Sequence, residues 1–236
     1  MPNNVTPRQR RSKAQERFDR IYGEIRDRIC LLDYQPGERL SEDELAEDFD
    51  VSRTPIRSVL NRLEVEGLVQ SRHGVGTFVT DVDFKALEEV YKFRMALAEQ
   101  IGLLDPRPRT RRDIERLRTC LRHCDTLVSA PDPKGFARLN LDVFNEVSDL
   151  IGNKPLREVT IRLHLLTTRI WLTTVPVEEL PAEIARFRGE ISDLLTAMEL
   201  GDYVSVGLLW RSHVSMSFFR LRRYEEQKQI DQPIDN

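Results

Sequence analysis

No apolar run in these 236 residues approaches the length of a membrane-crossing helix, so an integral helical membrane protein is excluded. The opening residues MPNNVTPRQRRSKAQERF are basic but lack the hydrophobic stretch of a signal peptide, and a cytoplasmic location is the expectation. Cysteine is scarce. Cys30, Cys120 and Cys124 are too few, and odd in number, for a disulfide framework, which leaves reduced thiols. With only 11 Gly and 12 Pro, the chain does not read as low-complexity or all-β. No glycine-rich phosphate loop, no nucleophile paired with a base and no convincing metal triad can be picked out, so enzymatic activity is not expected. An excess of one charge is missing too. The formal net charge is −3, so polyanion binding can only be argued from local placement.

That placement is uneven. Arg8, Arg10, Arg11 and Lys13 form a basic leader, readable as a solvated tail or as a phosphate-contacting arm. Glu42 to Asp50 is strongly acidic, and Arg53, Arg57, Arg62 and Arg72 then restore positive charge. Between these blocks the pattern is helical. Phe18, Ile21, Tyr22, Ile25, Ile29 and Leu32 recur at three- and four-residue steps, marking an amphipathic helix that ends before the Gln35-Pro36-Gly37 turn. Ser41 to Glu44 has the capping-box form and opens a short helix with Leu45, Ala46 and Phe49 inward. Ser52 caps a third helix that tolerates Pro55 in its first turn and stops at Gly67.

Ile56, Val59, Leu60 and Leu63 commit one face of this third helix to a core, while Arg53, Thr54, Arg57, Ser58 and Asn61 occupy the other. Leu68 to Arg72 and Thr77 to Thr80 read as strands joined by His73-Gly74-Val75-Gly76. Helix, helix, turn, helix and hairpin in that order make a winged helix-turn-helix. An outward guanidinium of Arg53 or Arg57 can donate two hydrogen bonds to the O6 and N7 of guanine. Ser52 and Thr54, near the helix N-terminus, are placed for phosphates, and His73 and Gly74 at the wing tip for the backbone or minor groove. Arg39 is counted with this DNA-facing set. The plainer reading is an exposed basic helix with ordinary surface pairs such as Arg62 with Glu66.

From about Asp83 the chain turns into long helical segments, 84–104, 111–128, 135–151, 155–174, 181–200 and 202–224, jointed at prolines. A mainly α chain, with an all-α antiparallel bundle of about six helices behind the winged head, is the expected fold class. The expected divisions are a flexible basic tail at 1–15, a DNA-binding domain at 16–80, a helical domain at 83–228 and a flexible tail at 229–236.

Gln35 to Val79, with PGERLSEDELAEDF, VSRTPIRSVLNRLEVEGLV and RHGVGTFV, closely resembles the DNA-binding domain of the GntR family of bacterial transcription regulators. Asp50 stands where that family usually has Gly, and Asp tolerates the left-handed conformation better than most residues. The helical half is similar to the effector-binding FCD domain of the FadR-type subfamily, through Val90 to Arg94, Gly152 to Leu156 and Ala197 to Asp202 leading to His213. The resemblance implies a homodimer on a palindromic double-stranded operator, and a repressor whose DNA affinity responds to a small carboxylate or sugar-acid effector. Arg94, Asn140, Arg169 and His213 are the pocket residues it suggests. Many such domains hold a divalent metal through an Asp and three His. Here those positions carry Asn140, Phe144, Ile191 and His213, so the site looks degenerate and neither metal nor cofactor is expected.

Alternatives remain at this level. The bundle could serve only for dimerisation or a protein partner, or a helical metalloenzyme could carry an accessory DNA-binding head. Cys120, His123 and Cys124 share a helix face but want a fourth zinc ligand. His164, in an apolar run, reads as a packing histidine, and Trp171 and Trp210 read as core or dimer-contact aromatics.

Overall fold

The computed structural model describes residues 12–231, which fall into two compact units divided between Asp81 and Val82. Helix α1, Lys13–Cys30, opens on the Ser12 hydroxyl, which accepts from the Gln15 N–H, and buries Ile21, Tyr22, Ile25 and Ile29. Of the expected basic tail, residues 1–11, including Arg8, Arg10 and Arg11, lie outside the described residues. Lys13 to Gln15 already belong to the helix, because Ser12 supplies a cap and starts it three residues upstream of the expected boundary.

Strand β1, Arg39–Leu40, precedes α2, Glu42–Asp48, and α3, Arg53–Glu66. The turn between these helices passes through Asp50 at φ 51°, so the residue replacing glycine does adopt the left-handed conformation. Gly67, at φ 84°, ends α3. Strands β2, Val69–Arg72, and β3, Gly76–Val79, form the wing, with Val69 opposite Val79 and Arg72 opposite Gly76. Sequence reading missed β1, a two-residue strand too short to alternate, which pairs Arg39 with Phe78 and completes a sheet of order β1-β3-β2. Ile21, Ile25, Ile29, Ile56, Val59, Leu63 and Leu68 are fully buried and form the core of this unit. Each such side chain contributes roughly 1.5–3 kcal/mol of burial.

The second unit is all helical: α4 Phe84–Gln100, α5 Arg111–Ser129, α6 Pro133–Ser148, α7 Lys154–Thr168, α8 Ile170–Thr174, α9 Leu180–Leu200 and α10 Tyr203–Asp231. Helix α10 packs along α4, α5 along α9, and α7 against α4. The core runs from Tyr91 and Ile101 through Leu117, Leu139, Phe144, Ile184 and Phe187 to Trp210 and Leu221.

Two expectations are corrected here. The helix expected over 155–174 breaks at Arg169. The hydroxyls of Thr167 and Thr168 both donate to the His164 carbonyl, at 2.9 and 3.0 Å, and Thr173 donates to that of Ile170. Such back-bonding draws on carbonyls the helix ladder uses and bends helices. The C-terminal tail expected from residue 229 is helical to Asp231, with 232–236 outside the described residues.

Candidate nucleic-acid interface and effector cavity

The head presents α3 with Ile56, Val59, Leu60 and Leu63 buried and Ser52, Arg53, Thr54, Arg57, Ser58 and Asn61 exposed. Ser52 has the extended backbone of a cap, yet its side chain makes no capping hydrogen bond. The N–H groups of the first turn thus keep the partial positive charge that attracts phosphates.

Both arginines are held by the acidic start of α2. Arg57 donates from Nε and a terminal nitrogen to the two Glu42 carboxylate oxygens, at 3.0 and 2.8 Å, and Arg53 pairs with Asp43. The ionic hydrogen bonds raise the Arg57 pKa and lower that of Glu42. At 62% side-chain exposure on each arginine, water screens these pairs. They extend the guanidinium stems without locking them, and a nucleobase edge can compete for the fork.

The wing is tied to α3 by Glu64, which accepts from the Ser71 N–H at 2.7 Å and from its hydroxyl at 2.9 Å. Gly74 sits at the tip at φ 72° beside exposed His73, and a side chain there would meet open space. Gly76 has a different reason to be glycine: at φ 137°, a Cβ would lie 2.8 Å from the Arg39 Nε. Arg39 therefore lies across the wing, and the Arg72 guanidinium stacks 4.6 Å above Phe78 on the same hairpin. Seven sequence-nominated residues thus fall on the α3 N-terminus and the wing with its neighbouring strand.

In the helical unit a small cavity of about 30 Å³ is walled by Arg94, Asn140, His164, Thr167, Trp171 and His213, among others. Arg94 donates to the Thr167 hydroxyl at 2.6 Å and to His164 Nδ1 at 3.0 Å, and lies 5.0 Å from the Tyr91 ring centre. Because Nδ1 accepts from a guanidinium, His164 is assigned the tautomer with its proton on Nε2. Desolvation pulls the Arg94 pKa down. None of these partners is a carboxylate. His213, by contrast, has one: its Nδ1 lies 2.5 Å from the Glu190 carboxylate. Asn140 donates to the Phe136 carbonyl at 2.9 Å.

Arg169 is fully buried at the α7–α8 joint and does not wall this cavity, which corrects the expectation that grouped it with Arg94. His164 is more than the expected packing group. It stacks on Phe144, ring centres 3.5 Å apart and nearly parallel, and orients Arg94. Sequence reading could have found it, since His164, Thr167, Thr168 and Trp171 recur at i, i+3, i+4 and i+7 and place one polar stripe on the cavity. Trp171, expected in a core or dimer contact, is partly buried and forms cavity wall.

The metal of the resembling domains does not fit these residues. Phe144, in place of an imidazole, is committed to its stack on His164, Ile191 is buried carbon, and the Asn140 amide is bonded to backbone. Among the described residues no cluster of three His, Cys, Asp or Glu could hold an ion. Cys120 and Cys124 are buried, with burial pushing both thiols up to about 12 and 11, whereas His123 faces solvent.

Comparison with known proteins bears on both units. Residues 18–79 match the model of bacterial regulatory proteins of the gntR family, and residues 89–216 match that of the FCD domain. The Uxu operon transcriptional regulator of Escherichia coli strain K12 is 45% identical over 71 residues, 30% of this chain and 28% of that protein. The uncharacterized HTH-type transcriptional regulator YdhC of Bacillus subtilis strain 168 is 36% identical over 83 residues, 35% of this chain. That match spans 37% of YdhC, little more than a third of its length. Among solved structures, E. coli McbR/YncC superposes with a TM-score of 0.72 at 19% identity, covering 88% of this chain and 97% of that one. A putative GntR transcriptional regulator from Rhodococcus sp. RHA1 gives 0.65 at 20% identity, covering 87% and 97%. At these identities the superpositions show a shared fold.

Proposed function

The chain belongs to the gntR family of bacterial regulatory proteins and carries an FCD domain, which makes it a DNA-binding transcription regulator rather than an enzyme, and from that premise we propose that a small carboxylate bound at Arg94 controls its operator affinity. The carrying observation is the charge balance of the cavity. A half-buried guanidinium whose partners are a hydroxyl, an imidazole nitrogen and a phenol ring has given up part of its water without gaining a counter-ion. A carboxylate supplies that counter-ion and accepts two parallel hydrogen bonds from the fork.

On this reading the protein is a homodimeric repressor. Each α3 reads one half of a palindromic site through Arg53 and Arg57, Ser52 and Thr54 hold phosphates, and Arg39, His73 and Gly74 follow the backbone beside them. The carboxylate lowers operator affinity by binding the DNA-free form more tightly, and linkage requires operator DNA to weaken carboxylate binding by the same factor. No metal takes part, because the residues at the family's ligand positions cannot hold one.

A thermal-shift screen of chelator-treated protein against small acids tests this, followed by fluorescence anisotropy on an operator selected from random DNA. An acid should raise the melting temperature without metal and weaken operator binding, and neither effect should survive Arg94→Gln. Stabilisation that depends on added zinc or nickel would overturn the metal-free reading, and indifference to every acid would leave Arg94 without a ligand role.

A further inference from the structure

Beside the polar cavity lies a second one of about 70 Å³, and the two share Ala137 and Trp171 as walls. Its remaining walls, Pro133, Phe136, Leu172, Val175, Val177 and Leu180, are all apolar. The shared tryptophan is partly buried and meets Phe136 edge-to-face, ring centres 6.1 Å apart. Val177, in the turn before α9, is 72% exposed, so the apolar chamber reaches the surface at that point.

We infer that the effector is an amphipathic monocarboxylate, whose acid group pairs with Arg94 and whose apolar body, a short alkyl chain or a single ring, passes Trp171 into the chamber of Val175, Val177 and Leu180. This rests on the Arg94 reading above and narrows it. A sugar acid carries hydroxyls along its whole length, and those entering the second chamber would be desolvated among side chains that, apart from the Trp171 indole N–H, offer neither donor nor acceptor. An alkyl chain is stabilised there by roughly 0.8 kcal/mol for each methylene taken from water, about fourfold in affinity. The polar side groups of the first cavity, Asn140, Thr167 and Ser217, lie only at the acid end. The division between the two cavities thus gives the ligand a polar head and an apolar tail.

Isothermal titration of the full chain with acetate, hexanoate, phenylacetate and gluconate decides the question, repeated on Arg94→Gln and on Val177→Asp. The Val177 substitution sets a charge at the chamber's mouth, on a residue exposed enough to leave folding intact, which circular dichroism checks. Hexanoate or phenylacetate should bind at least about tenfold tighter than acetate or gluconate, as a few buried methylenes require. Val177→Asp should remove most of that gain while leaving acetate unchanged, and Arg94→Gln should weaken all of the acids that bind. Gluconate binding as tightly as hexanoate would overturn the apolar tail and leave the Arg94 site standing. A chain-length gain untouched by Val177→Asp would place the tail elsewhere, and one untouched by Arg94→Gln would mark nonspecific uptake. If no acid binds, the Arg94 reading falls together with this one.

Discussion

Arg57 and Arg94 carry the same guanidinium into opposite settings. Arg57 is exposed and held by Glu42, so removing it costs the fold little and the DNA complex more. Arg57→Ala should leave the urea midpoint within error, lower affinity for the selected operator by about 1–3 kcal/mol, and relax one position of each half-site in a base-substitution panel. An unchanged anisotropy titration would remove Arg57 from base reading. Arg94 is half-buried, burial lowers its pKa, and none of its hydrogen-bond partners is a carboxylate, so the unliganded protein has little to lose from its neutralisation. Arg94→Gln should therefore keep or slightly raise the urea midpoint while abolishing carboxylate binding. A loss above about 2 kcal/mol would identify Arg94 as a structural post satisfied by Thr167 and His164.

At the scale of the element, α5 shows how local chemistry ties into the bundle. The Thr110 hydroxyl accepts from the Asp113 N–H, and the Asp113 carboxylate accepts from the Thr110 N–H, a reciprocal cap. Arg116 extends it, donating to Asp113 at 2.8 Å and to Glu146 on α6 at 2.6 Å. Thr110→Ala should cost about 1 kcal/mol in chemical denaturation, with α5 still formed because its buried stripe of Leu117, Cys120, Cys124 and Leu127 remains. Burial acts to raise the Asp113 pKa, but the Thr110 hydrogen bonds and the Arg116 charge outweigh it and the net shift is downward. A carboxyl depressed on folding adds stability above its ordinary value of about 4, and that stability is lost as pH falls through the lower folded value. Asp113→Asn should thus destabilise the protein at neutral pH and flatten the acid limb of its stability curve, and parallel curves for the two proteins would refute the assignment.

For the whole molecule the quantity to measure is the coupling between acid and operator. The factor by which a saturating acid weakens operator binding should equal the factor by which operator weakens acid binding, and both should fall to one in Arg94→Gln. Equilibrium sedimentation should give twice the 27.5 kDa chain mass with and without the acid, because the readout proposed is DNA affinity and not assembly. A monomer would take away the two-fold reading of a palindrome.

The helices and hairpin of the winged head were legible in the sequence, whereas its two-residue strand β1 was not. Its helices are amphipathic stripes with a hydroxyl cap at Ser41, an N-cap backbone at Ser52 whose side chain makes no capping bond, a stop at Gly67 and a left-handed turn at Asp50, all local features. The stripe positions Ile56, Val59, Leu60 and Leu63 are buried as their spacing requires. The helical half was legible as helices, and the loss of metal-ligand types at Phe144 and Ile191 could be read from residue identity alone. What the linear order could not carry was contact between distant positions. The pairing of β1 with β3, the hold of Glu42 on Arg57 across 15 residues, and the meeting of Arg94 with Thr167 across 73 exist only once elements pack. So does the exclusion of Arg169 from a cavity that admits His164. The helical period puts a residue on a face, whereas packing and the bend at the threonines decide what that face meets.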